Sequence, residues 1–189
     1  MCSNCTGIFC SPHSKRPVDM EICRRKDEIE ISELDPFLAE LLRQIPPSAN
    51  PEGVPAAEQR LFSPPANDKG AKICAEWKLY VEPELRRLFQ TATETVAGDL
   101  EQLNGSEKSF ANRTLSISSK HADAWLSALN QARLVIAAKY NFTDRELGDH
   151  FRSPIGSRRD LSLFQVNFYG FLQEFILRES DGSQKAPED

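Results

Sequence analysis

The stretch that most limits the fold runs from Lys120 to Tyr140, KHADAWLSALNQARLVIAAKY. Ala122, Trp125, Leu126, Leu129, Ala132, Ile136 and Tyr140 recur at the spacing of a helix face turned to a core. A helix of this length needs other elements laid against it, so the chain must build a helical core around it. Asn130 and Arg133, three residues apart near its middle, are neighbours on the helix surface. Polar groups set into such a helix need partners wherever they are buried.

The flanking segments supply the packing elements. Glu21-Ile22-Cys23-Arg24 and Glu28-Ile29-Glu30-Ile31 alternate apolar and polar around Arg25-Lys26-Asp27, which predicts a short β-hairpin. Asp35 then caps a helix with Pro36 at its first position, where the missing N–H costs nothing. Phe37, Leu38, Leu41, Leu42 and Ile45 form its apolar face. Residues 46–66 hold six of the twelve prolines and read as a Pro-rich surface linker with a helical piece at Ala56–Phe62. Asp68 to Val81 is weakly helical, with Ile73, Cys74, Trp77 and Tyr80 spaced to share a face. Pro83 opens a further helix that carries Leu85, Leu88, Phe89, Ala92, Val96, Leu100 and Leu103 to Asn104-Gly105. Ser106 to Thr114 is polar and reads as a loop. Thr143-Asp-Arg-Glu146 matches a capping box.

The last helix, Asp160 to Arg178, has more apolar residues than one stripe can hold. Leu161, Phe164, Phe168, Phe171, Leu172, Phe175 and Ile176 make its core face. Leu163, Val166, Tyr169 and Leu177 lie partly off that face. Either the linker covers the surplus or a second copy does, which makes a homodimer through this helix an expectation. Thr143 to Arg159 has the outline of a helix-turn-helix, but the helix that follows presents Leu and Phe rather than groove-reading polar side chains.

Composition excludes several classes. The chain has 189 residues, a net charge of −5 and a pI of about 5.3. An acidic balance suits poorly a protein that grips nucleic acid along its surface. Arg24-Arg25-Lys26, Arg86-Arg87 and Arg158-Arg159 are the basic clusters, and they read as solvated faces. No run of about 18 apolar residues marks a membrane span. The first residues lack a secretory apolar region, so the expected location is the cytoplasm.

Four of the five cysteines precede residue 24. Cys2, Cys5, Cys10 and His13 form a C-x2-C-x4-C-x2-H pattern that could close a tetrahedral shell, with zinc the natural ion for mixed sulfur and nitrogen ligands. The plainer reading of residues 1–19 is a disordered extension, because they carry no core-facing periodicity. Redox pairing of Cys10 with Cys23 is a further reading. Cys74 reads as a small buried hydrophobe beside Trp77. Catalytic signals are lacking: His121 and His150 sit at helix ends. There is no Gly-rich phosphate loop, nucleophile elbow or His-Glu-x-x-His.

The segment Asp123-Ala-Trp125-Leu126-Ser-Ala128-Leu129-Asn130-Gln-Ala-Arg133-Leu134-Val135 resembles the signature helix of a bacterial family of unknown function. That family is common in actinobacteria, is often encoded beside the Clp adaptor ClpS, and includes the oxidative-stress transcriptional regulator AosR. The resemblance extends over residues 20–178, through the Glu82-Pro83-Glu84-Leu85 helix and the aromatic last helix with Leu172-Gln173-Glu174. It implies a transcription-linked role and, by that route alone, contact with DNA or with the Clp adaptor pathway. The regulator's redox switch uses two cysteines separated by three residues. This chain departs from it, because two residues separate Cys2 from Cys5 and four separate Cys5 from Cys10. Trp125, Asn130 and Arg133 stand in the shared helix, the last two read as a polar network that fixes packing, with binding second.

The sequence therefore predicts a mostly α, compact helical bundle with a small N-terminal β-hairpin. It spans residues 20–178, between an extension at 1–19 and a disordered tail at 179–189. The function expected is that of a non-enzymatic cytoplasmic regulatory or interaction protein with a protein partner and no cofactor. The alternative is a zinc-binding module or metal-dependent enzyme built on the N-terminal Cys/His cluster.

Overall fold

A computed structural model of the protein describes residues 20–65, 70–104, 113–148 and 155–181. The chain enters as the expected hairpin, β1 (Glu21–Arg25) and β2 (Glu28–Leu34), turned by Lys26 at a left-handed φ of 54°. Ile22 faces Ile31 across it. A third strand, β3 (Arg113–Ser118), pairs antiparallel with the other edge of β2, setting Ile29 against Ile117 and Ile31 against Leu115. The sheet order is β1-β2-β3. The first residues of β3 fall in the stretch expected as a loop. Leu115 and Ile117 alternate with polar residues, and both are buried with Ile29, Ile31 and Leu34 on one sheet face.

Helix α1 (Pro36–Arg43) begins as the sequence predicts: the Asp35 carboxylate accepts the Leu38 N–H at 2.7 Å, and Pro36 occupies the first turn. The Pro-rich stretch departs from expectation. It folds into α2 (Ile45–Ala49) and α3 (Pro55–Phe62), and Ala49, Ala57 and Phe62 are buried. Pro46, Pro47 and Pro55 all fall in first turns, where an absent N–H breaks no helical bond. The prolines therefore start helices here.

Next come α4 (Ala71–Glu76), a π-helical turn (Trp77–Val81) and α5 (Glu82–Leu100), continuous in sequence. Pro83 lacks the N–H that would bond the Leu79 carbonyl, and the chain relaxes into the wider register, with the Glu82 N–H reaching the Trp77 carbonyl. Helix α6 (Ala122–Tyr140) is the predicted signature helix, and α2, α3, α5 and α8 (Arg158–Asp181) all pack on it. It is buried on more than one face: Ala128, Gln131, Val135 and Ala137 join the predicted Trp125, Leu129, Ala132 and Ile136. Its many alanines let neighbouring backbones come close. Between α6 and α8, α7 (Asp144–Leu147) carries the capping box expected at Thr143 and Glu146. The Glu146 carboxyl, bonded by the Thr143 backbone and by Arg159, is held down to about 2.

Helix α8 is rotated from the expected face. Val166 and Tyr169 are buried and Phe171 is 41% exposed, whereas Leu177 lies off the core face as expected, 50% exposed. Helices α1 and α2 pack on part of α8, while Leu177 stays exposed. Phe164 packs on Phe37 with ring centres 5.6 Å apart, the Tyr169 hydroxyl donates to the Leu41 carbonyl at 2.8 Å, and Gln165 reaches Ser48. Val166 thus needs no second copy to bury it. Burial pushes the Tyr169 hydroxyl pKa above its ordinary value.

Since β3 closes the core, Ile117→Ala should lower unfolding free energy by about 2–5 kcal/mol in a denaturant titration. A loss below about 0.5 kcal/mol, the range of surface substitutions, would mean the strand is not part of the core.

Candidate functional site

Three constellations centre on α6 and α5. The first joins the two helices. Trp125 is fully buried, and its indole N–H donates to Asp99 Oδ2 at 2.8 Å. His121 Nδ1 lies 3.0 Å from both oxygens of the same carboxylate. A carboxylate only accepts, so Nδ1 carries the proton in this contact. The Asp99 side chain is 12% exposed and that of His121 41%. Asp99 thus ties the end of α5 to the start of α6. The sequence shows no signal for it, because a single Asp in a helix has no periodicity and its partners lie more than twenty residues away.

The second constellation surrounds Arg133. Its Nη1 donates to Gln173 Oε1, and Gln173 in turn donates to the Leu126 carbonyl at 3.1 Å. The guanidinium lies over Gly170 of α8, where an added Cβ would stand 3.2 Å from Arg133 Cζ. The acceptor is Gln173 rather than Glu174, which acts on Arg133 only through its field. Burial lowers the guanidinium pKa, and the Glu174 carboxylate opposes that shift. The Arg133 Nε–H is buried without an acceptor among the described residues. Asn130, expected to share this network, is exposed. Three residues of separation place it beside Arg133, but α8 covers only one side of the pair.

The third feature is the α4–α5 segment. No described residue from 71 to 91 is buried. Nine large hydrophobic residues of the described chain are well exposed, and five of them, Ile73, Leu79, Tyr80, Val81 and Leu88, fall within this arm. Cys74, expected as a buried hydrophobe, is half-buried on it. The base of the arm is held by Arg86, which stacks 3.7 Å over the Phe62 ring and pairs with Glu58 and Glu82. Beside that contact is an open cleft of about 460 Å³, lined by Pro46, Phe62, Phe89 and Glu94 and floored by the buried Gln131.

Each basic cluster has at least one arginine paired to a nearby carboxylate. Arg25 pairs with Glu30, Arg86 with Glu58 and Glu82, Arg87 with Glu84, and Arg159 with Glu146. The described residues present no group of three metal-ligating side chains and no helix long and apolar enough to cross a membrane. Cys2, Cys5, Cys10, His13 and His150 lie outside the described residues. So does the proposed partner of Cys23, which is itself free and half-buried.

The chain belongs to a family described as a domain of unknown function, DUF2017, whose model matches residues 23–179. No curated protein and no solved structure matches the chain.

Two stability predictions follow from these contacts. Asp99→Ala leaves a buried indole N–H unpaired and should cost about 1–3 kcal/mol. In a Trp125→Phe background that cost should largely vanish, and equal costs in both backgrounds would remove the contact from the account. Gly170→Ala should gain up to about 1 kcal/mol of helix propensity only once Arg133 is shortened by Arg133→Met. In the wild-type chain the guanidinium occupies that space, so a full gain there would contradict the wedge.

Proposed function

We propose that the protein is a non-enzymatic regulatory or interaction protein, and that the exposed apolar arm of α4 and α5 is the surface through which it meets a protein partner. The observation that carries this reading is the crowding of five large exposed hydrophobics into one helical segment outside the core. Scattered apolar residues are ordinary on a protein surface, but their concentration in one segment with no buried residue favours a contact site. A π-helical turn lies in the middle of the set, and such turns concentrate at functional sites. Asp99 and His121 have the look of an acid–base pair, yet Asp99 is also committed to the Trp125 N–H, which suits a clamp.

The resemblance of the α6 segment to a family with a stress-linked transcriptional regulator directs the partner reading to the transcription apparatus. Arg25, Arg86, Arg87 and Arg159 of the basic clusters are paired to carboxylates, which favours a protein contact over a phosphate backbone. Affinity capture from the native cell, comparing the wild-type chain with Leu79→Ser/Tyr80→Ser, tests this. The expected result is recovery of RNA polymerase subunits, reduced about tenfold or more by the double substitution, a loss of about 1.4 kcal/mol or more. Equal recovery by both chains would remove the arm from the function. Recovery of the Clp adaptor in place of polymerase would replace the transcription reading.

A further inference from the structure

We propose that the cleft lined by α2, α3 and α5 binds a small organic cation, an ammonium or guanidinium group carried on an apolar body. This ligand is separate from the protein partner assigned to the arm. The cleft has a volume of about 460 Å³, within the range of small-molecule sites. Its apolar lining comes from several elements: Pro46 from α2, Pro51 from the turn that follows, Phe62 from α3 and Phe89 from α5. The two rings have centres 5.8 Å apart. Arg86 already covers one face of Phe62, so an incoming apolar body meets the half-buried Phe89 and the prolines.

The polar groups of the cleft call for a ligand that donates. Gln131 of α6 forms the floor and is 3% exposed. Its Nε2 donates to Ser127 Oγ at 3.2 Å, while its carbonyl oxygen meets no donor among the described residues. A buried amide oxygen needs a donor, and the cleft is the side from which one can come. Thr93 gives its hydroxyl proton to the Phe89 carbonyl at 2.9 Å, so toward the cleft it too can only accept. The charges agree. Glu58 is paired with Arg86, which Glu82 also holds. Glu94 accepts from the neutral Gln90 amide, and neither Glu94 nor Glu52 has a cationic partner among the described residues. Two exposed carboxylates therefore line the cleft uncompensated. An anion would meet both of them and no free guanidinium. An ammonium or guanidinium supplies the positive charge and the N–H donors together.

The test is an amide NMR titration of the full chain with 2-phenylethylamine, and with 3-phenylpropionate, which has the same ring and spacer and the opposite charge. The amine should bind saturably, with a dissociation constant on the order of a few millimolar for so small a probe, and should shift the Gln131 side-chain amide with the Phe89 and Thr93 backbone amides. The acid should bind at least about tenfold more weakly. Glu52→Gln/Glu94→Gln alters only exposed side chains and should remove most of that difference. Gln131→Met keeps the bulk of the floor, loses the acceptor and should weaken the amine about threefold or more, with far-UV circular dichroism unchanged. An amine that causes no saturable shift at the cleft, or an acid that binds as well as the amine, would overturn the site. A preference for the amine that survives Glu52→Gln/Glu94→Gln would overturn the assignment of its charge to these carboxylates.

Discussion

The indole N–H of Trp125 is buried where α5 meets α6, and the Asp99 carboxylate is what satisfies it. A buried donor left unpaired costs about 1–3 kcal/mol, so this contact sets where the end of α5 can lie. Val96, Leu100 and Leu103 follow from that placement, because they are the residues of the segment that reach the core. On the other sides of α6, Ala128, Ala132 and Ala137 leave room for the neighbouring helices. Fixing α5 by its C-terminal end also decides what happens at the other end. The helix is longer than the core it crosses, and its N-terminal half, with α4, extends beyond the packed elements. The anchor inside the protein and the apolar arm outside it are consequences of one helix held at one end.

Local chemistry in the sequence was readable because it acts over a few residues. Asp35 with Pro36, Thr143 with Glu146, and the alternation either side of Lys26 each specify their structure without help from elsewhere. The expected mostly helical fold with a small antiparallel sheet follows from those signals and from the α6 periodicity. What escaped depends on distant partners. Strand β3 has only Leu115 and Ile117 to show as apolar alternation, and its pairing edge lies some eighty residues earlier in β2. Residues 46–66 look like a linker until Pro46, Pro47 and Pro55 are seen to fall in first turns. The buried face of α8 differs from the one its pattern indicates at Val166 and Phe171, because a helix apolar on most sides gives no phase to its burial.

The candidate site divides the same way. Trp125 and Arg133 stood out by their setting in α6, and both are tied to another helix, Trp125 to α5 and Arg133 to α8. Asn130 shares their helix but not their burial, since the polar pair straddles the edge of the contact with α8. Asp99 could not be found from pattern at all. Membership of a family of unknown function assigns no chemistry, so function has to be argued from the surface. On that surface the paired charges offer little, and the unpaired feature is the apolar arm.

Native-state hydrogen exchange tests the central claim, that α6 and its Trp125–Asp99 contact form the last part of the structure to open. The account predicts that the amides from Ala128 to Ile136 and the Trp125 indole N–H exchange only through global unfolding, with one common denaturant dependence. Amides of residues 72–80 should exchange far faster under conditions where the chain is dilute. Exchange of the α6 amides through local opening, while the amides of α8 or the sheet stay protected, would contradict it.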